Sequence, residues 1–552
     1  MRFLLAALLS VTLAAAAEDP LPGVAAVVSE RIKDLPEPTS PAIPEGLKMA
    51  ITTEEPKAQQ HVLDGLNNLH GGWDLEAYRH FCAALELDPD CLMAHWGVVM
   101  SLLDPEPDMV EHRTAALRRM LKLVEDEAGT ELERSYAYAV AVFLEKGAVA
   151  AADAFRKIAE KFPNDPQLKL LHAAFGRSGY NADGTANVDQ EKAEAAINEL
   201  LVRSPDQPLY LSAYLTIRAE APDLRGDLAR ARHLCELAPG YAPFLHLLGH
   251  YELRNGNIAQ AVGAFARAGE IYRKWMNDTG LDHTDCPGWV KSECYRAVSL
   301  AIKGDYANAL AVADSVAAID VPVERTRSEG GQLLLWEGRT LATRILMRRA
   351  GKGDAARAIA KLPDPASQKK FAKRTMSIWL YQGLAFVLEA RKALEAGNLE
   401  EARKIGDALT LHGEEMVKTR ETANAGGERS AWLRAFTTLE ISASELRGLM
   451  ALAGPKADIG SAFNWFRAAL DRQKPASLLM PPGTLLPMEA RLSEYYLAKG
   501  DAKAAVDTLY EAQGWHTNDL EILSRLETAL KKNNLPEQAA EIAAQIEQVK
   551  SD

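Results

Sequence analysis

The chain reads as an all-α protein built as a solenoid of paired helices. Three observations predict this. Alanine and leucine dominate, aromatic residues make up only 7% of the 552 positions and β-branched runs are scarce, a balance that favours helix over strand. The length exceeds the ~250–300 residues that one compact core supports, whereas a solenoid buries each hairpin only against its neighbours. A spacing also recurs: Gly65, Ala77, Phe81 and Ala84 stand at the same offsets as Gly249, Ala261, Phe265 and Ala268.

The stretch 241–273 shows the repeating unit. Phe244, Leu247, Leu248, Tyr251 and Leu253 form one apolar stripe at helical spacing, and Ile258, Val262, Phe265 and Ile271 form a second. Asn255-Gly256-Asn257 is the hinge between them. Small residues at the recurring positions let neighbouring helices approach, and the phenylalanine fills the space beside them. This stride is the signature of a tetratricopeptide hairpin, whose repeat is about 34 residues. The expected fold is therefore a tetratricopeptide-type α-solenoid, a right-handed superhelix of helical hairpins.

The elements follow in order. Residues 1–17 carry Arg2, an apolar run over 3–13 and Ala15-Ala16-Ala17 before Glu18, the pattern of a cleaved secretory signal peptide. An uncleaved anchor is the alternative, but the apolar run is short of the ~20 residues a membrane span needs. Residues 18–56 form a proline-rich lead-in, with Pro20, Pro22, Pro36, Pro38, Pro41, Pro44 and Pro56 excluding a long helix. One short helix within 21–35 and loose packing on the first repeat are expected of it. An N-terminal superhelix then spans 57–318. Its hairpins begin at 58–90, which Pro89 closes, and continue through 91–127, 131–162, 167–202, 207–238, 241–273 and 289–318. Asn181, Asp183, Asn187 and Asp189 faintly resemble a calcium loop, but the EF-hand pattern is not met and a solvated turn is the expectation.

Residues 319–331, with Pro322 and the pair Gly330-Gly331, are expected to join two halves. The C-terminal half, 332–552, holds helices at 333–350, 355–362, 371–397, 399–419, 432–453 and 459–472, where Ala462, Phe466 and Ala469 recover the spacing. An exposed loop is expected at 421–429 and a proline-rich insert at 473–487. Hairpins at 488–513 and 518–549 close the chain.

The run Phe81-Cys82-Ala83-Ala84-Leu85-Glu86-Leu87-Asp88-Pro89, continuing to Gly97, resembles the opening repeat of a group of exported bacterial tetratricopeptide proteins. The likeness extends to His246 with His250, to Met480-Pro481-Pro482 with Pro487, and to Leu497-Ala498-Lys499-Gly500. It implies the fold and export to the periplasm or medium, and no defined reaction.

Candidate site residues lie on the first helix of each hairpin, which lines the concave side of such repeats. His246 and His250 are spaced i, i+4 and share a helical face. Such a pair can ligate a metal, but Leu247 replaces the glutamate of the zinc-protease motif. The flanking inner helices, where the resemblance implies further histidines, offer Ser212 and Thr216 on one side and Lys291 and Cys294 on the other. Histidines hydrogen-bonded within the groove, ligand contact and a metal site remain open at this point, and Cys294 could complete a metal set if reduced.

Five cysteines are present. In an oxidising compartment Cys82 could pair with Cys91 and Cys286 with Cys294, leaving Cys235 single. A net charge of −13 argues against a nucleic-acid partner. No nucleophile elbow or phosphate loop occurs, so no enzyme and no cofactor is expected. The reading is an exported interaction scaffold, without a transmembrane segment, that holds a peptide or protein partner in its groove; the alternative is a metal-binding protein or metal-dependent enzyme centred on His246 and His250.

Overall fold

The computed structural model describes residues 21–181, 183–364, 366–371 and 373–551. The residues read as a signal peptide lie outside these. Among the described residues the regular elements are helices, with one isolated bridge between Tyr180 and Ala186. The chain is an all-α solenoid of helical hairpins. No helix among the described residues is long and apolar enough to cross a membrane.

The recurring glycines sit where the spacing places them. A Cβ at Gly65 would stand 2.6 Å from the Phe81 ring, and one at Gly249 would stand 2.6 Å from the Phe265 ring. Phe81, Phe265, Ala77 and Ala261 are fully buried. The two positions are thus equivalent seats, each admitting a ring where any side chain would collide. Gly448 faces Phe466 in the same way across the hairpin formed by Arg429–Ala453 and Ile459–Arg472.

The chain divides into two compact units. The first runs through Asp223 and takes in Ala229–Phe244; the second takes in Leu224–Leu228 and everything from Leu245 onward. The expected junction at 319–331 lies inside the second unit. Its glycine pair is a packing point: a Cβ at Gly330 would stand 2.6 Å from the carbonyl oxygens of His283 and Thr284.

In the first unit, hairpins begin with Pro56–Gly71 and Asp74–Leu87 and continue through Pro208–Arg218. The lead-in is not loosely packed. It contains one four-residue helix, Val24–Val27, and buries Val27, Val28, Ile32, Ile43, Leu47 and Ile51. Side chains of the hairpins hold its backbone. The Tyr78 hydroxyl donates to the Val27 carbonyl at 2.8 Å and accepts from the Ser29 N–H at 2.9 Å. Asn67 Oδ1 accepts from the Leu47 N–H, and Glu133 accepts from both the N–H and the hydroxyl of Thr52. Proline removes helical bonding from this segment, so its polar groups are met by side chains instead. The loop at 181–189 also uses its polar residues locally. Asp183 accepts from the Thr185 N–H and hydroxyl, and Asn187 caps the helix Val188–Arg203.

In the second unit, first helices include Pro287–Ile302, Arg339–Arg349, Ile378–Glu395, Arg429–Ala453 and Met488–Lys499, each followed by its return helix. The segment Leu334–Gly338 forms a π-helical turn leading into Arg339–Arg349. The stretch expected as an exposed loop at 421–429 carries a short helix, Arg420–Ala425, because it continues directly from Leu399–Lys418 without a proline or glycine to break it. Residues 473–487 contain no regular structure, as expected.

Candidate functional site

The first helices of the second unit converge on the proline-rich segment 473–487. It lies along them as a strap, and their side chains take its main-chain carbonyls. His246, on helix Ala242–Arg254, donates from Nε2 to the Leu478 carbonyl at 2.8 Å. The Tyr295 hydroxyl, from Pro287–Ile302, donates to the Ser477 carbonyl. From Arg339–Arg349, Arg344 donates to the Pro482 carbonyl at 3.4 Å and Arg348 to the Leu485 carbonyl at 2.6 Å. Arg434, from Arg429–Ala453, donates to the Pro481 carbonyl. Carbonyls, unlike N–H groups, survive in a proline-containing chain, so donor side chains are the natural complement to it.

The strap is also bonded to itself. Gln473 Nε2 donates to the Thr484 and Leu486 carbonyls at 3.0 and 2.9 Å, and Gln473 Oε1 accepts from the Met488 N–H. These bonds draw the two ends together, the arrangement of an Ω-loop. Met480, Pro481, Thr484, Leu485 and Leu486 are buried, whereas Leu479 at the tip is 58% exposed.

Beneath the strap lies a network of buried charge. Glu337, in the π-helical turn, faces Arg344 at 2.8 Å and also pairs with Arg434. Burial alone would raise its carboxyl, but Arg434 and Arg344 outweigh burial and hold it at about 2. Glu445 is likewise buried yet kept below the usual carboxylate range by Arg391 and Arg491. Arg348 pairs with Asp519 at 2.6 Å, both almost fully buried. Buried ions survive only when paired and hydrogen-bonded, and these are.

His246 shows the site in detail. Burial lowers its pKa to about 4, so the ring is neutral. The Leu478 carbonyl can only accept, which places the proton on Nε2; Nδ1 is then an acceptor 3.0 Å from the Ser292 hydroxyl, whose single proton it shares with the Gly288 carbonyl at 2.8 Å. Both ring nitrogens are committed. His250 is fully buried one turn on, with the Tyr251 and Tyr295 rings edge-on to it at 6.2 and 6.3 Å. Among the described residues no three His, Cys, Asp or Glu side chains are grouped as metal ligands.

The other candidates are placed as follows. Lys291 forms an ion pair with Glu329 at 2.6 Å. Cys294 is fully buried, its thiol pushed up to about 12 by burial. The residues of that helix that face His246 are Ser292 and Tyr295. Ser212 and Thr216 lie on Pro208–Arg218 in the first unit, the former buried and the latter partly so. Cys82, Cys91, Cys286 and Cys294 are buried thiols outside any disulfide, and Cys235 is buried with its thiol donating to the Phe244 carbonyl. Burial pushes Cys91 up to about 12 and raises Cys82 and Cys286 as well, so these thiols, like Cys294, are not poised as nucleophiles.

Sequence reasoning missed Tyr295, Arg344, Arg348, Arg434 and Glu337. One signal was available: Arg344 and Arg348 stand i, i+4 inside the apolar run Leu341, Ile345, Leu346, Met347, where unpaired arginine would be costly.

No family model matches the chain, and no curated protein matches it. Solved structures similar to it include a human IFIT1 dimer with m7Gppp-AAAA, at 14% identity over 91% of this chain and 92% of that one, with a TM-score of 0.31. The P58(IPK) TPR domain is similar at 13% identity over 86% of this chain and 98% of that one, with a TM-score of 0.21. The APC/C hetero-tetramer Cut9–Hcn1 is similar at 13% identity over 77% of this chain and 94% of that one, with a TM-score of 0.25.

Proposed function

We propose that the chain is an exported helical-repeat scaffold whose first-helix face in the second unit binds an extended peptide segment of a partner protein. One observation carries the reading. His246, Tyr295, Arg344, Arg348 and Arg434, drawn from four first helices, are all directed at the main-chain carbonyls of an irregular, proline-containing segment. Main-chain recognition by side chains spread over successive helices is how a repeat surface reads an unstructured peptide. The metal reading has less support, because both nitrogens of His246 are engaged with protein groups.

The test is affinity capture from the envelope fraction with the full chain and with an Arg344→Ala/Arg434→Ala variant, followed by calorimetric titration of each captured protein after purification. A partner that binds the full chain and not the variant supports the proposal. Purified partners that bind both equally overturn it. Metal analysis of the purified chain and of His246→Ala addresses the alternative, which requires stoichiometric metal in the first and its loss in the second.

A further inference from the structure

We infer that residues 473–487 are a resident competitor for the peptide site, and that the partner segment which displaces them is extended, proline-containing and acidic. The inference rests on the peptide-binding reading above and gives it a partner class.

Three features set the strap apart from ordinary core. It is a long excursion without regular structure between Ile459–Arg472 and Met488–Lys499, whereas the other long connection of the unit, from Asp354–Ile359 to Ile378–Glu395, carries a 3-10 turn at Lys369–Phe371. Long loops without secondary structure are uncommon inside compact repeats and are usually functional. Its two ends are tied by Gln473, so it can leave the helix face as one piece without unravelling its neighbours. It also fits imperfectly. A cavity of about 50 Å³ remains beneath it, lined in part by Leu253, Val298, Ala476 and Leu485. The Thr484 hydroxyl and Arg348 Nε are buried there with no hydrogen-bond partner among the described residues. A segment retained only as filler would close the void and meet those groups.

Charge identifies the displacing partner. Around Glu337, two guanidinium groups, Arg344 and Arg434, share one carboxylate. The surplus positive charge is met only by the neutral carbonyls of Pro481 and Pro482 among the contacts of the strap. A carboxylate at that point would exchange a dipole for an ion, and hydrogen bonds between ionised groups are roughly twice as strong as neutral ones. An acidic peptide therefore outcompetes the strap, whereas a neutral copy of the strap does not.

The experiment uses the full chain and two fluorescent peptides. One copies residues 475–487, which carry no charged side chain; the other is the same peptide carrying Pro482→Asp. Binding is measured by anisotropy, and hydrogen exchange of the strap is followed in parallel. The acidic peptide should bind about tenfold more tightly than the neutral one, as one added charge-assisted bond predicts. Its binding should raise exchange in 474–486, weaken about tenfold in Arg434→Gln, and strengthen in Gln473→Ala, which unties the loop. If Gln473→Ala does not fold, Ser477→Ala loosens the turn in which the Ser477 hydroxyl accepts from the Met480 N–H. Equal binding to the parent and the untied chain, or unchanged exchange in the strap, overturns the resident competitor and leaves the peptide-binding reading standing. Equal binding of the two peptides overturns the acidic preference. Binding of neither to any folded variant overturns the inference, and the capture experiment then decides the broader reading.

Discussion

His246 and Leu478 lie 232 positions apart, yet the imidazole Nε2 and the Leu478 carbonyl oxygen are 2.8 Å apart in the buried face of the second unit. The bond fixes the tautomer of the histidine and the path of the strap together. Removing it deletes one hydrogen bond between the histidine helix and the strap, worth about 0.5–1.5 kcal/mol. His246→Ala is expected to lower thermal stability by that amount. Hydrogen exchange in 476–482 should rise more than in the helices that flank it. Uniform exchange throughout the unit would mean the ring serves only to fill space.

The same histidine predicts an acid-sensitive stability. Unfolded, its pKa is near 6.5; folded, burial lowers it to about 4. Below 6.5 the unfolded chain binds a proton that the folded chain does not. The contribution of the neutral ring is therefore full above pH 6.5 and is lost as pH falls from 6.5 to about 4, below which it changes no further. The total is on the order of 3 kcal/mol from the shift itself. Denaturant midpoints across that range should fall less steeply for His246→Gln than for the parent chain. Parallel curves would contradict the assignment.

Two glycines in adjacent helices should respond oppositely to alanine. At Gly249 a Cβ collides with the Phe265 ring, and overpacking of this kind costs about 1–3 kcal/mol. Gly263 has nothing within 4 Å of a built Cβ, and removing a helix glycine there should stabilise by roughly 0.5–1 kcal/mol. Melting curves of Gly249→Ala and Gly263→Ala test the contrast, and shifts of the same sign would refute the packing argument.

Arg348 and Asp519 form a pair that is strong only while intact. Arg348→Met strands a buried carboxylate and should destabilise the second unit by about 3–5 kcal/mol. Asp519 also caps the helix Leu520–Lys532 through the Glu521 and Ile522 N–H groups. Asn at that position keeps a capping oxygen without the charge. Adding Asp519→Asn to Arg348→Met should therefore recover part of the loss, as read by chemical denaturation; no recovery would mean that the arginine acts through its packing alone.

Export is checked by mass. The reading of residues 1–17 as a signal predicts that the chain recovered from the envelope or medium begins at Glu18. Recovery of the intact amino terminus in the cytoplasm would rule this out.

The helices were legible because their information is local. Leu399–Lys418 and Ile459–Arg472 are bounded by residues that a 3.6-residue stripe, a hinge glycine or a proline announces. The equivalence of Gly65 and Gly249 was legible for the same reason, since repetition writes one packing relation twice. That His246 and His250 share a helical face, both against the Tyr295 ring, followed from their i, i+4 spacing. What could not be read was where segments without periodicity come to rest. Nothing in Pro481-Pro482-Gly483 specifies that Arg434 and Arg344 receive their carbonyls, and nothing in 21–55 specifies that Tyr78 and Asn67 hold it down. Such contacts join residues far apart in the chain, and each end alone looks like an ordinary loop or an ordinary buried side chain. The glycine pair at 330–331 misled for a related reason: glycine marks both a hinge and a tight approach, and only the carbonyls of His283 and Thr284 distinguish the two.

The position of the strap in the chain sets an order of assembly. His246, Tyr295, Arg344 and Arg434 all leave the ribosome before residues 473–487 do. Until that later segment emerges, their donors have no carbonyls of the strap to meet. Any nascent or truncated chain ending before Gln473 therefore presents a row of side-chain donors, two of them arginines, to its surroundings, and a late step in maturation of this unit is the threading of a later segment onto an earlier surface.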